Sequence, residues 1–370
     1  MTPTTKRRRL IPACALGIIA LAAPAVVSAN ASQAPPPDPL AKVKHKVVAD
    51  GLDNPRQLTV TPSKRLLVAQ AGRGGQECVG EGQDEQCAGT TGKVTQIGPN
   101  GQWNPMAQLL SFSGSDGSFA VGSDGASKRP GGRYFAIMTY APPEFLPPSL
   151  PSDQLGKLLA KRPGGKLRSV ANIAKYEANH DPDGEGVESN PYSVLALRQY
   201  VLVADAAGDT IYKVRHGHLR VFHQMKEYGK KVDAVPTTLA LDKRTGRILV
   251  GELHSEIPGK AKVWSLRRDG SVHRTWKGFT TITGVARARN GTLYVSELFG
   301  GDCGFDQIPE CFPGRVVRIK PNGNRKTFDV PFPAGIVVRN GNPFVSAFSI
   351  SPGTGFGGNP DWSGQIWRLG

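Results

Sequence analysis

Five stretches of the chain carry one plan: LLVAQAG (66–72), VLVADAAG (201–208), ILVGELH (248–254), LYVSELFG (293–300) and PFVSAFS (343–349). Each is a short run rich in apolar and β-branched residues that ends in a small or polar residue and a turn, which reads as a core β-strand. About a dozen residues earlier stands a shorter strand opened by Pro or Gly. These openings are Asn54-Pro55-Arg56-Gln57-Leu58, Asn190-Pro191-Tyr192-Ser193-Val194 and Val235-Pro236-Thr237-Thr238-Leu239. Two more are Thr281-Ile282-Thr283-Gly284-Val285 and Phe332-Pro333-Ala334-Gly335-Ile336. A third strand follows each core strand: GKVTQI (92–97), TIYKVR (210–215), AKVWSL (261–266), GRVVRI (314–319) and GQIWRL (364–369). Turns such as Asn100-Gly101, Asp269-Gly270 and Asn322-Gly323 then lead into a last short strand.

Four strands recurring at a period of about 45 residues are the mark of propeller blades. One blade cannot bury both faces of its own sheet, whereas a closed ring of blades can. Between the first and second clear units lies a stretch from Trp103 to Glu188 that holds RYFAIMTY (133–140), GKLLAKR (156–162) and LRSV (167–170). It reads as a degenerate blade with a proline-rich insertion, PPEFLPPSLP (142–151). The expected fold is therefore all-β, a six-bladed β-propeller of four-stranded antiparallel blades. A parallel α/β fold would need helical stretches between the strands, and only VANIAKYEA (170–178) has that character.

The start of the chain predicts export. Lys6-Arg7-Arg8-Arg9 precedes an apolar run from Leu10 to Val27 and then Ser28-Ala29-Asn30-Ala31, the three parts of a secretory signal peptide over residues 1–31. Pro12 and Pro24 interrupt the run, which argues against a membrane span. The arginine cluster is compatible with the twin-arginine route. Residues 32–42 form a Pro-rich leader expected to be disordered, and residues 43–370 a single propeller domain with an insertion at about 114–152. A mature chain without a transmembrane anchor, monomeric and extracellular, is the expectation.

Removal of the signal takes Cys14 with it and leaves four cysteines in two Gly-rich acidic loops, Cys78 with Cys87 and Cys303 with Cys311. An even number in an exported chain predicts disulfides, paired locally; the gaps do not fit paired zinc ligands. The whole chain has a net charge of +16, and loss of Lys6 to Arg9 leaves 42 basic residues against 30 acidic, a net +12. The basic residues are scattered and are not interleaved with stacking aromatics, so nucleic-acid binding is not expected.

Aligning the core strands brings Gln70, Asp205, Glu252, Glu297 and Ala347 into one register, two residues after a strand valine in most blades. Asn54 and Asn190, each just before a Pro, fall on the same rim, and His254 follows Glu252 by two. Oxygen ligands converging at a channel would suit Ca²⁺ or another divalent cation, or acid–base chemistry; equally, such side chains can line a wet channel and bond to backbone ends. A second acidic segment, Asp181-Pro182-Asp183-Gly184-Glu185-Gly186-Val187-Glu188, outlines a calcium loop through Asp181, Asp183 and Glu188 but lacks the twelve-residue spacing. No Gly-x-Ser-x-Gly elbow, Walker loop or HExxH helix is present.

The strings GLDNPRQL (51–58), LLVAQAGRGG (66–75), CAGTTGKVTQI (87–97), ESNPYSVLAL (188–197), VLVADAAGDTIYKV (201–214) and DAVPTTLAL (233–241) resemble the ScyD/ScyE family. The resemblance runs from about Val47 to the C-terminus and weakens from Gly114 to Ser152. It implies a secreted bacterial propeller related to NHL-repeat and gluconolactonase-like proteins, with no defined biochemical role. The family commonly carries a glutamate after its first core strand where this chain has Gln70, which lowers the charge of the expected ring. Two functions follow as expectations: a non-catalytic module binding a small ligand, a glycan or an extracellular protein, or a metal-dependent lactonase-like hydrolase at the channel. In the second, Glu252, Glu297, Asp205 and Asn190 would hold the cation.

Overall fold

In the computed structural model, which describes residues 43–141, 146–225 and 232–370 with Leu40 and Tyr228, the first strand does not join the strands that follow it. Strand β1 (His45–Leu52) is the outer strand of the last blade. The expected signal peptide and all of the leader except Leu40 lie outside the described residues.

The first blade is β2 (Pro55–Val60), β3 (Leu66–Gln70), β5 (Gln86–Gly98) and β6 (Gly101–Gly114), with β4 (Glu77–Val79) as an extra short strand on β5. The second is β7 (Ser123–Lys128), β8 (Tyr134–Met138), β9 (Lys157–Lys161) and β10 (Arg168–Asn172). Helix α1 (Ile173–His180) follows it. The third blade is β11 (Pro191–Ala196), β12 (Val201–Asp205), β13 (Thr210–Arg215) and β14 (His218–Gln224). The fourth is β15 (Pro236–Leu241), β16 (Ile248–Glu252), β17 (Ala261–Leu266) and β18 (Val272–Phe279). The fifth is β19 (Ile282–Arg287), β20 (Leu293–Glu297), β21 (Arg315–Ile319) and β22 (Arg325–Asp329). The sixth, β23 (Ile336–Arg339), β24 (Asn342–Ala347) and β25 (Gly364–Leu369), takes β1 as its fourth strand. All ladders are antiparallel.

This is the expected six-bladed propeller, with the degenerate blade where the repeat placed it. The region 114–152, read as an insertion, contains β7 and β8, so the extra chain of this blade is the segment between Met138 and Lys157. The inner strand SDGASK (123–128) lacks the apolar signal of its counterparts, which is why the repeat loses its clarity there.

The core is not one mass but six seams between neighbouring blades. Leu66 and Val68 pack towards the sixth blade, and Leu67 and Ala69 of the same strand towards the second. Val201 and Val203 meet the second blade, whereas Leu202 and Ala204 meet the fourth. Side chains alternate across a strand. A strand buried on both faces therefore reads as a continuous apolar run, and the five core motifs are such runs. The seam between the fifth and sixth blades is aromatic: Phe312, Phe332, Phe348, Phe356 and Trp367 meet there, with Phe312 edge-on to Phe332 at 5.8 Å. Disulfides Cys78–Cys87 and Cys303–Cys311 form as local pairs. No helix among the described residues is long and apolar enough to cross a membrane.

Candidate functional site

Five of the six inner strands begin opposite the end of their neighbour: Pro55 faces Gln70, Ser123 faces Met138, Pro191 faces Asp205, Pro236 faces Glu252 and Ile282 faces Glu297. One end of the ring thus collects the register expected from sequence, together with both disulfide loops and α1. The expected ring, however, belongs to the second strands, not to the strands nearest the axis. Its side chains are engaged inside their own blades.

Gln70 is fully buried. Its Oε1 accepts the backbone N–H of Asp53 at 2.6 Å, and its Nε2 donates to Thr95 Oγ1. Asp205 accepts from Asn190 N at 2.6 Å and Ser189 Oγ at 2.7 Å, and burial pushes its pKa up to about 6. Glu297 accepts from Thr280 N and Arg315 Nε, each at 2.5 Å, and burial raises its pKa against the pull of Arg315. In three blades, then, a side chain at the end of the second strand fastens the backbone that enters the first. The glutamine, having an amide oxygen, does this as well as the carboxylates do. Asp209 performs the same task one blade on, accepting from Ala234 N at 2.8 Å and Val235 N at 2.7 Å. Ala347, with no polar atom, has no such role.

The two asparagines also face inward to the fold. Asn54, in a left-handed conformation (φ 48°), donates to the carbonyls of Gly72 and Gly117, both at 2.9 Å. Asn190 Oδ1 accepts from Thr139 Oγ1 at 2.9 Å.

Glu252 departs from this pattern. It is fully buried and accepts from Trp264 Nε1 at 2.6 Å and from Tyr228 Oη at 3.1 Å. His254 Nδ1 stands 3.3 Å away and Lys262 Nζ 4.0 Å. Lys262 in turn donates to Tyr228 Oη at 2.6 Å. Burial pushes the pKa of Glu252 up to about 7 and lowers that of His254, so the carboxyl holds its proton to near neutrality and the imidazole is neutral. His254, Ser255 and Glu256 all have positive φ, three left-handed residues in a row, the kind of local strain that gathers at special sites.

Nearer the axis lies a group that the repeat did not single out. The second residues of successive inner strands are Arg56, Asp124, Tyr192, Thr237 and Thr283. Arg56 Nε lies 3.4 Å from Asp124 Oδ1, both buried. Burial raises the pKa of the Asp124 carboxyl while Arg56 opposes that rise. Thr237 and Thr283 donate across the blade junctions to the carbonyls of Ile282 and Pro333. Just below, Gln57 closes the axis. Its Oε1 accepts from Ala126 N at 3.1 Å and Val194 N at 3.2 Å, and its Nε2 donates to Val194 O at 3.2 Å and Leu239 O at 3.4 Å. A single side chain thereby joins the inner strands of the first four blades. These residues share no periodic signal: Arg56, Tyr192 and Thr237 follow a Pro, Asp124 a Ser and Thr283 an Ile, and Gln57 had none.

The acidic segment after α1 is only partly as expected. Asp181 Oδ1 accepts from Gly184 N at 3.1 Å and Gly186 N at 3.2 Å, and Asp183 Oδ1 from Glu185 N at 3.1 Å. The third acid beside them is Glu177 of α1, whose ligand atom lies within 4.8 Å of theirs. Glu188 is exposed and does not join them through its carboxylate.

No protein-family model and no curated protein sequence matches the chain. Solved structures do. A proposed oxidoreductase (glucose dehydrogenase) of Thermus thermophilus is 16% identical with a TM-score of 0.51, covering 88% of this chain and 99% of its own. A luciferin-regenerating enzyme is 8% identical with a TM-score of 0.50, covering 86% of this chain and 91% of its own. At such identities the likeness is one of fold: the chain is a six-bladed β-propeller, an architecture that hosts unrelated activities.

Proposed function

We propose that the protein is an exported, monomeric, non-catalytic propeller whose residues 43–370 form one binding domain, as the resemblance to the ScyD/ScyE propellers also suggests. The observation that carries this reading is the engagement of three of the expected ring's side chains and of the glutamine at the axis. Gln70, Asp205 and Glu297 each fasten a strand entry, and Gln57 fills the axis, so the groups that would hold a catalytic cation are already bonded to the fold. Binding then falls to the loops of the rim, where Val79, Phe119 and Val187 are exposed on the same face. An extracellular protein, a glycan or a small ligand meets such a rim without entering the channel. Two local disulfides and the basic–apolar–small start of the chain support export.

A hydrolase reading has one observation in its favour: Glu252, with a pKa of about 7 beside His254 and Tyr228, is suited to proton transfer at neutral pH. The two are separated by screening lactone hydrolysis with purified mature protein and added divalent cations, alongside Glu252→Gln. Absence of turnover is expected. Turnover by the wild type that disappears in Glu252→Gln would overturn the binding-module reading.

A further inference from the structure

Four of the buried acids face a basic partner: Asp124 faces Arg56, Asp242 faces Arg287, Glu252 faces Lys262 and Glu297 faces Arg315. The other four, Glu177, Asp183, Asp205 and Asp209, have no basic partner among the described residues, although basic residues outnumber acidic ones in the chain. These four are not scattered. Asp205, Asp183 and Asp181 each repel charge on Glu177, and Asp183 does the same to Asp205 and Asp209. A buried anion without a counter-charge is costly, and here the anions are gathered in one place.

Within this group, Glu177, Asp181 and Asp183 bring one ligand oxygen each to within 4.8 Å of one another. Glu177 is fully buried; its Oε2 accepts from Tyr212 Oη, while its Oε1 has no hydrogen-bond partner among the described residues. That orphaned oxygen is a second and separate sign, because a buried carboxylate oxygen normally finds a donor. The backbone approaches closely on the remaining side. A β-carbon on Gly208 would lie 2.9 Å from Glu177 Oε2 and 3.3 Å from the Glu188 carbonyl oxygen. The Glu177 carboxylate and the Glu188 carbonyl therefore border the same glycine, although the Glu188 side chain does not join the cluster.

We infer that Glu177, Asp181 and Asp183 form a calcium site that ties α1 to the acidic loop leading into the third blade. The ligands are all oxygen, as a hard cation requires, and the set has no sulfur or imidazole to favour zinc or copper. The cation supplies the positive charge that Arg or Lys supplies to the other buried acids. Asp205 and Asp209 remain with their backbone donors and add to the negative field. The site is separate from the axis and independent of whether the mouth catalyses anything.

The test is calcium titration of the mature protein after chelation, followed by thermal melting and by terbium luminescence excited through tyrosine, since Tyr212 touches a ligand. The expected result is one ion per chain, with a dissociation constant in the range of about 10⁻⁴–10⁻³ M common to extracellular sites, and a higher Tm with calcium. Asp181→Asn/Asp183→Asn should weaken binding by about tenfold or more, while Glu252→Gln and Glu297→Gln leave it unchanged. In chelator the double variant should melt no lower than wild type, because it loses repulsion rather than support; this also shows that it folds. No binding by wild type up to millimolar calcium, equal binding by the double variant, or loss of binding in Glu252→Gln would overturn the site.

Discussion

Gln70 stands where Asp205 and Glu297 stand in their own blades, and it makes the same bond to the incoming backbone. Its loss of charge relative to those acids therefore leaves the fastening intact, while removal of the whole amide does not. Gln70→Ala leaves the Asp53 N–H without its acceptor, at about 1–3 kcal/mol for an unsatisfied buried donor, and urea denaturation should show a loss of that size. An unchanged midpoint would mean that water replaces the glutamine. Glu252 gives a pH-dependent counterpart. Its pKa rises from 4.5 to about 7 on folding, chiefly through burial. Between those values the folded chain holds more protons than the unfolded one, so stability falls as pH rises across the window and levels off above it. At 1.36 kcal/mol per unit the change is roughly 3 kcal/mol. Glu252→Gln cannot ionise and should lose that slope, whatever its absolute stability. Melting both proteins from about pH 5 to 8 checks this; parallel curves would contradict it.

At the scale of the element, legibility followed burial. The second strands were plain in the sequence because both faces meet a neighbouring blade, giving runs such as LLVA and ILVG whose alternate residues enter different seams. Strand β7 was not, because it lies nearest the axis and has small polar residues. At Gly125 a β-carbon would come within 2.8 Å of Gln57 Oε1 and Ile137 Cγ2, so no side chain fits there. The register of Gln70, Asp205, Glu252 and Glu297 could be read from the repeat, but not their partners, since Tyr228, Arg315 and Ser189 lie on other segments. Glu177 was missed for the same reason: it reaches the acidic loop from a helix. Two elements are held by local covalent links, and the Cys303–Cys311 link closes the loop whose Phe305 and Phe312 lie against the aromatic seam. Cys303→Ser/Cys311→Ser should lower stability by about 2–3 kcal/mol, the loop-closure effect for so short a loop. Denaturant titration of the double variant measures it, and equal midpoints would show that the phenylalanines alone hold the loop.

The molecule as a whole depends on one contact that no local pattern announces. The fourth strand of the sixth blade comes from the other end of the chain: β1 pairs with β25 from His45–Leu369 to Leu52–Gly364, and His45 stacks on Trp367 at 3.7 Å. HKVVADGL has neither the length of apolar run nor the spacing of the core strands, and its partner is more than three hundred residues away. Leu52 is fully buried in the seam between the sixth and first blades, alongside Leu58, Leu66 and Phe344. Every blade needs both neighbours, so opening one seam exposes apolar faces on two blades, and loss of β1 leaves the edge of β25 unpaired. A change in this closing strand should therefore weaken the ring as a unit. Leu52→Ala removes a buried side chain at about 2–5 kcal/mol, and the expected outcome is one cooperative transition at lower temperature, followed by both circular dichroism and tryptophan fluorescence. Trp367 reports the closing blade and Trp264 the fourth, on the far side of the sequence. If the closing blade melted first while the rest of the ring held, the two signals would separate, and the closure would be a local ornament and not the condition of the fold.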